Sequence, residues 1–343
     1  MDSKRKRKLI WQLPFLTLLI VGTVLIIRQQ SNVPYQRNEG MVFGTFYKIT
    51  YQCDSDLVDD IRAGLQRVDQ SLSPFNERSV ITAINENRPV TLDSMFVEVF
   101  RKAMVVSDVT QGAFDITVAP LVNAWGFGFK NGIQPTDRQV DSLLQITGYR
   151  KVSLQGGEVR KADPRMMLDC SAIAKGYGCD VVAQVLEGHH VENYMVEIGG
   201  EVVVKGISPN RLPWRIGVNK PVDDSLATSS EIQTVLNVTN CAMATSGNYR
   251  NFYYRGGKKY AHTIDPRTGY PVQHSILSAT VLADDCATAD AYATSFMVMG
   301  LGAAQQLLAS HPELMAYLIY AQPDGELAVW YSPSMKGKVA DVH

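Results

Sequence analysis

Residues 168–180 read Leu168-Asp169-Cys170-Ser171-Ala172-Ile173-Ala174-Lys175-Gly176-Tyr177-Gly178-Cys179-Asp180. The stretch predicts a strand ending at Asp169 and a helix over 171–187. A helix N-terminus there offers unpaired N–H groups and a positive dipole to an anion. Lys175, one turn in, can reach a phosphate as a point charge. An ordinary capped helix with a surface lysine reads equally well. After this stretch strands dominate: 194–198, 201–206, 214–218, 232–238 and 276–283. Helical spacing follows at 286–299 and 303–310, and 315–331 reads as a hairpin turning at Asp324-Gly325. Before it, 41–52 is rich in β-branched and aromatic residues and predicts a strand. Residues 55–72, 94–111 (N-capped by Ser94) and 138–147 predict helices. Helices and strands interleave without a regular βαβ repeat, so the class is α+β.

At the N-terminus, Lys4-Arg5-Lys6-Arg7-Lys8 precedes an uncharged run from Leu9 to Ile27. At about 1.5 Å per residue the run spans roughly 28 Å, the thickness of a bilayer core. The basic cluster predicts a cytoplasmic start (1–8), a single transmembrane anchor (9–27) and an exported body. Residues 28–40 read as a linker, 41–335 as one globular domain and 336–343 as a tail. The chain has 343 residues, net charge -1, 20% charged and 45% apolar residues, which is ordinary globular composition. Residues 1–28 hold six of the 33 bases and one of the 34 acids, leaving 27 and 33 and a body at -6. That balance argues against nucleic-acid binding. The five cysteines (53, 170, 179, 241, 286) contain no CxxC pair and read as small buried thiols, with no assignable disulfide.

Polar residues inside apolar runs mark candidate chemistry, because burying them without partners is costly. Asp115 lies in Gly112-Ala113-Phe114-Asp115-Ile116-Thr117, and Asn123 in the following Pro120–Gly128 run. Asp115 as a cap and Trp125 as core is the plainer reading. Gly199-Gly200 within Val196–Glu201 implies a bulge or the close approach of a ligand. His262 precedes the turn Asp265-Pro266-Arg267-Thr268-Gly269-Tyr270-Pro271. It is the best proton acceptor, although a satisfied core histidine fits too. Asp290 and Thr294 share one helix face, and hard oxygens at that spacing suit Mg²⁺. A threonine bonded to the i−4 carbonyl is the alternative.

Together these segments resemble the ApbE family, the FAD:protein FMN transferases. The resemblance runs from about Val42 to Tyr331. It is carried by GAFDITVAPLVNAWGFG, LDCSAIAKGYGCD, EIGG, ATSGNYRNFY, HTIDPRTGYP and ADAYATSFMVMG, in the family's order. It implies mixed, mainly antiparallel sheets flanked by helices. It also implies Mg²⁺-dependent transfer of FMN from FAD to a Thr or Ser hydroxyl of a target flavoprotein subunit, releasing AMP. By resemblance, Phe43 and Phe75 lie against the flavin, and Ala113, Phe114 and Asp115 touch the adenosine part. Asp169, Lys175 and Ile264 also contact FAD. Asp290 and Thr294 bind Mg²⁺ with a backbone oxygen near Ala172, and His262 is catalytic. Family members carry Lys or Glu at 175, which leaves the role of charge there open. Cys170 and Cys179 depart from the usual small or aliphatic residues. The implied acceptors are flavin-bearing subunits of membrane redox complexes, met outside a bacterial inner membrane. An FAD pyrophosphatase and a non-catalytic FAD-binding protein are the rival activities. A solute-binding receptor has no use for the His and the Asp–Thr pair.

Overall fold

The computed structural model describes residues 3–128, 135–221, 231–248, 252–255, 258–273 and 275–340; side chains are described from 12 onward, except at 29–32 and 249–260 within those segments. The chain starts with α1 (Ser3–Asn32), which takes in the expected 9–27 run and holds Pro14. Its described apolar side chains, Leu13 to Ile27, are exposed. The side chains of the basic cluster and of 9–11 lie outside the described residues. Among the described residues no helix is long and apolar enough to cross a membrane.

The first strand reading resolves into a hairpin, β1 (Tyr35–Val42) and β2 (Thr45–Gln52), so β1 begins inside the stretch read as a linker. The turn falls at Phe43-Gly44, both at positive φ (51° and 73°). Composition alone ran through it because the phenylalanine hides the turn that Gly44 permits. Then come α2 (Val58–Leu72), α3 (Val80–Asn85) and α4 (Ser94–Val109). The cap of α4 is Asp93, not Ser94: its carboxylate accepts from the Phe96 N–H at 2.7 Å. Short α5 (Ala119–Ala124) and α6 (Asp137–Gln145) lead to the small hairpin β3 (Val152–Gln155) and β4 (Glu158–Lys161), which the sequence reading missed. Helix α7 covers Ala174–Gly188. It starts three residues later than expected, because 170–173 close a turn first.

The rest of the chain holds β5 (Tyr194–Ile198), β6 (Glu201–Lys205), β7 (Trp214–Asn219), β8 (Ile232–Val238), β9 (Cys241–Gly247), β10 (Phe252–Arg255), β11 (Lys258–Ala261) and β12 (Ile276–Ala283). It closes with α8 (Cys286–Met299), α9 (Leu301–Ser310), β13 (Met315–Ala321), β14 (Leu327–Tyr331) and β15 (Val339–Ala340). Strand β15 lies in the stretch read as a tail and pairs with β8. Strand β9 was not expected: Ala242, Met243 and Ala244 bury a small-residue surface with weak strand propensity.

Eight strands form one sheet in the order β1-β2-β5-β6-β9-β12-β13-β14, every neighbouring pair antiparallel. Helices α2, α4, α7 and α8 cover one face through a core that includes Val68, Phe96, Tyr177, Val281 and Phe296. The opposite face packs on the β15-β8-β7 sheet through Val202, Met243, Leu282, Trp214 and Leu236. Central β12 is therefore buried on both faces and reads as a near-continuous apolar run. The mixed α+β class with antiparallel sheets follows from these pairings. Helix α8 is buried almost all round, so its sequence shows no polar stripe.

Candidate active site

Helices α7 and α8 meet at Gly176. A Cβ on Gly176 would lie 2.2 Å from the Cys286 carbonyl oxygen, so the two backbones touch there only because residue 176 has no side chain. The Gly176 N–H donates to Asp290 Oδ2 at 3.1 Å. Asp180 spans the same junction: its two oxygens accept from the Cys286 and Ala287 N–H groups at 2.8 and 2.9 Å. These are unpaired donors at the start of α8. Asp285 caps the same helix through the Thr288 N–H and pairs with Lys102 at 3.0 Å. The N-terminus of α8 is thus pinned twice, and Asp290 follows one turn later.

Asp290 is 2% exposed. Burial pushes its carboxyl up to about 7; the Lys175 ammonium opposes that shift and Glu201 adds to it. Lys175 Nζ lies 2.5 Å from Glu201 Oε1 and 4.0 Å from Asp290 Oδ1. Burial disfavours its ammonium, but the Asp290 and Glu201 carboxylates outweigh burial and hold its pKa above the ordinary lysine value. Glu201, also 2% exposed, keeps Oε2 without a hydrogen-bond partner. Thr294 bonds not the i−4 carbonyl but Ser246 Oγ on β9, at 3.0 Å. Among the described residues no cluster of three or more His, Cys, Asp or Glu side chains could hold a metal. A buried carboxylate with a hydroxyl one turn on nevertheless fits a hard cation that takes its other ligands from phosphate and water.

Asp115 caps the short 3₁₀ turn 116–118. Its carboxylate accepts from the Thr117 N–H (2.7 Å), the Thr117 hydroxyl (2.6 Å) and the Tyr149 N–H (2.7 Å). The plainer reading of Asp115 as a cap therefore holds, and the residue lines the cavity as well. Burial raises its pKa against those three donors. Asp169 accepts from the Ser171 N–H at 2.8 Å, and burial raises its pKa too. Trp125 is core, donating Nε1–H to Gly269 O at 2.8 Å. That bond docks the 265–271 turn, which Asp265 closes through Arg267. His262, just after β11, faces Phe127 edge-on with ring centroids 6.5 Å apart.

One cavity of about 430 Å³ gathers Phe75, Ala113, Phe114, Asp115, Asp169, Ala172, Lys175, His262, Ile264, Asp290 and Thr294. Of the expected residues only Phe43 stands outside it. Its ring packs on Gly178, whose added Cβ would lie 2.7 Å away. It borders a second cavity of about 440 Å³ that shares Phe75, Ser171 and Lys175 with the first. Phe75 is 75% exposed where the two cavities meet. Sequence reasoning missed Glu201, Ser246 and Thr245. The Gly199-Gly200 pair was the available signal. It is not a bulge but the two-residue hairpin turn between β5 and β6, with φ of 66° and 109°, and it brings Glu201 to the cavity wall. The motif at 244–253 runs outside the described residues at 249–251. All five cysteines are unpaired thiols, with Cys170, Cys179 and Cys286 buried.

An antiparallel α+β body with a carboxylate–ammonium cluster and a histidine on one cavity defines a class, and comparison with known proteins agrees on it. The family model described as "ApbE family" matches residues 43–319. A FAD:protein FMN transferase of Vibrio cholerae is 38% identical over 272 residues, covering 76% of this chain and 80% of that protein. One from Haemophilus influenzae is 36% identical over 330 residues, covering 90% and 94%. The solved flavin transferase ApbE from Vibrio cholerae superposes with a TM-score of 0.79 at 34% identity, covering 88% of this chain and 99% of that one. The chain belongs to the ApbE family of flavin transferases. It is an enzyme.

Proposed function

We infer that the protein transfers the FMN half of FAD to a Thr or Ser hydroxyl of a target flavoprotein subunit, with release of AMP. The observation that carries this reading is the opening of Asp290, Thr294, Lys175 and His262 onto one cavity. The names of its relatives supply the substrate class. The N-terminus of α7 offers positive charge to the pyrophosphate, and Lys175, paired with Glu201, stands on the same wall. Asp290 and Thr294, with the Ala172 backbone oxygen, are the residues to hold Mg²⁺. When bound, that ion neutralises charge on the phosphates. Phe75 and Phe43 present aromatic surface to the flavin. Ala113, Phe114, Asp115, Asp169 and Ile264 wall the rest of the dinucleotide.

His262 accepts the proton of the acceptor hydroxyl as that oxygen attacks the FMN phosphorus. A phosphorus–oxygen bond to the protein forms, and the pyrophosphate bond to AMP breaks. The deciding experiment incubates the enzyme with FAD, Mg²⁺ and an acceptor protein. Covalent flavin on the acceptor, with AMP released in equal amount, is expected. Free FMN and AMP without flavin on the acceptor would make the protein a pyrophosphatase. Retained FAD without AMP would make it a carrier.

The same reading puts the body outside the cytoplasmic membrane, tethered by residues 9–27. The five bases before an uncharged run and the exposed apolar side chains of α1 support it. Flavin-bearing subunits of membrane redox complexes are then the acceptors within reach. Recovery of the full chain from the soluble fraction of a lysate would remove the anchor.

A further inference from the structure

We propose that Glu201 is a positioning residue of the cation site: it holds and neutralises the Lys175 ammonium, which leaves the Asp290 carboxylate available to a divalent cation. The inference rests on the cation reading given above. Lys175 Nζ sits between two buried carboxylates, 2.5 Å from Glu201 Oε1 and 4.0 Å from Asp290 Oδ1. Attraction between opposite charges rises as separation falls, and rises further where water is excluded. An ammonium released by Glu201 would close the remaining distance to Asp290, and an arriving cation would have to displace it. Glu201 is itself fixed for this task. It leaves the Gly199-Gly200 turn as the first residue of β6, and its backbone oxygen accepts from the Cys179 thiol on α7 at 3.3 Å.

Charge counting gives the test. Lys175 and Glu201 cancel, so Asp290, ionised as the cation binds, offers it one negative charge. In Glu201→Gln, Lys175 and Asp290 cancel instead. In the double variant Lys175→Met/Glu201→Gln the single charge on Asp290 returns without a competing ammonium. The full-length protein is titrated with Mn²⁺ alone, and unbound Mn²⁺ is followed by its paramagnetic resonance signal. Glu201→Gln should weaken binding by about tenfold or more. The double variant should return to within about threefold of the wild type. Lys175→Met alone should bind at least as tightly as the wild type, which guards against a folding defect from loss of the lysine. A double variant as weak as Glu201→Gln would overturn the proposal, since Glu201 would then act as a ligand in its own right. Unchanged binding in Glu201→Gln would overturn it too. A wild type that binds no Mn²⁺ would overturn the cation reading together with this one; either of the other two results overturns this one alone.

Discussion

At the scale of single residues, the site depends on buried charge that is compensated in part. His262 and Asp290 carry separate expectations. Removing a general base costs about 10²–10⁴-fold in rate. His262→Ala should therefore lower kcat for flavin transfer by that order and leave FAD binding near the wild-type level, measured by flavin fluorescence. An equal loss of FAD affinity would recast His262 as a binding residue. Asp290→Ala removes the buried carboxylate that Gly176 and Lys175 surround. Transfer at low Mg²⁺ should fall by on the order of 10²-fold or more, because cation assistance supplies several kcal/mol. The melting temperature should change little, since a charge costly to bury is lost together with the Gly176 hydrogen bond and the Lys175 interaction that offset its cost. Transfer unchanged at every Mg²⁺ concentration would remove the metal assignment.

At the scale of elements, the α7–α8 crossing sets the geometry. Gly176→Ala forces a methyl group against the Cys286 carbonyl, which must shift. Overpacking of this kind costs about 1–3 kcal/mol. The same shift lengthens the Gly176–Asp290 hydrogen bond, so thermal stability and Mg²⁺ affinity should fall together, read by melting and by titration. Asp180 adds a pH dependence. Burial pushes its carboxyl up to about 7, against the Cys286 and Ala287 N–H donors, from an ordinary value of 3.8. The folded protein then binds this proton more tightly than the unfolded chain. The associated stability is fully present below about pH 4 and is lost as pH rises to about 7. Asp180→Asn removes the titration. Its melting temperature relative to the wild type should climb between pH 4 and 7, and a flat difference would show that Asp180 ionises normally.

At the scale of the whole molecule, the eight-stranded sheet is a platform with helices on one face and a three-stranded sheet on the other. The cavity gathers Phe75, Asp115 and His262 from connecting segments with Lys175 of α7, Glu201 of β6 and Asp290 of α8, residues from distant parts of the chain. The α1 segment stands apart energetically, since its described apolar side chains stay exposed. On the proposed tether, deleting residues 1–32 should release the protein from membranes and leave FMN transfer by the body within about twofold, because none of these residues lines the cavity. Membrane retention of the shortened chain would move the anchor elsewhere.

The sequence by itself determined the type of most long elements, because apolar patterning and run length report how each is buried. Strands 194–198, 232–238 and 276–283 and helix 286–299 coincide with their expected bounds. It also determined the family, because runs such as LDCSAIAKGYGCD are long enough to be specific, and through that likeness eleven of the residues that meet at one cavity. Only the tertiary structure decided the rest. The hairpin at Phe43-Gly44, the Asp93 cap and strand β9 depend on local geometry and on partners far along the chain, which no single segment encodes. Glu201 is the clearest instance. In sequence it is one more strand acid. In the fold it is a buried carboxylate 2.5 Å from Lys175, because charge interactions are set by distance in space and by exclusion of water, and both arise only when the chain is packed.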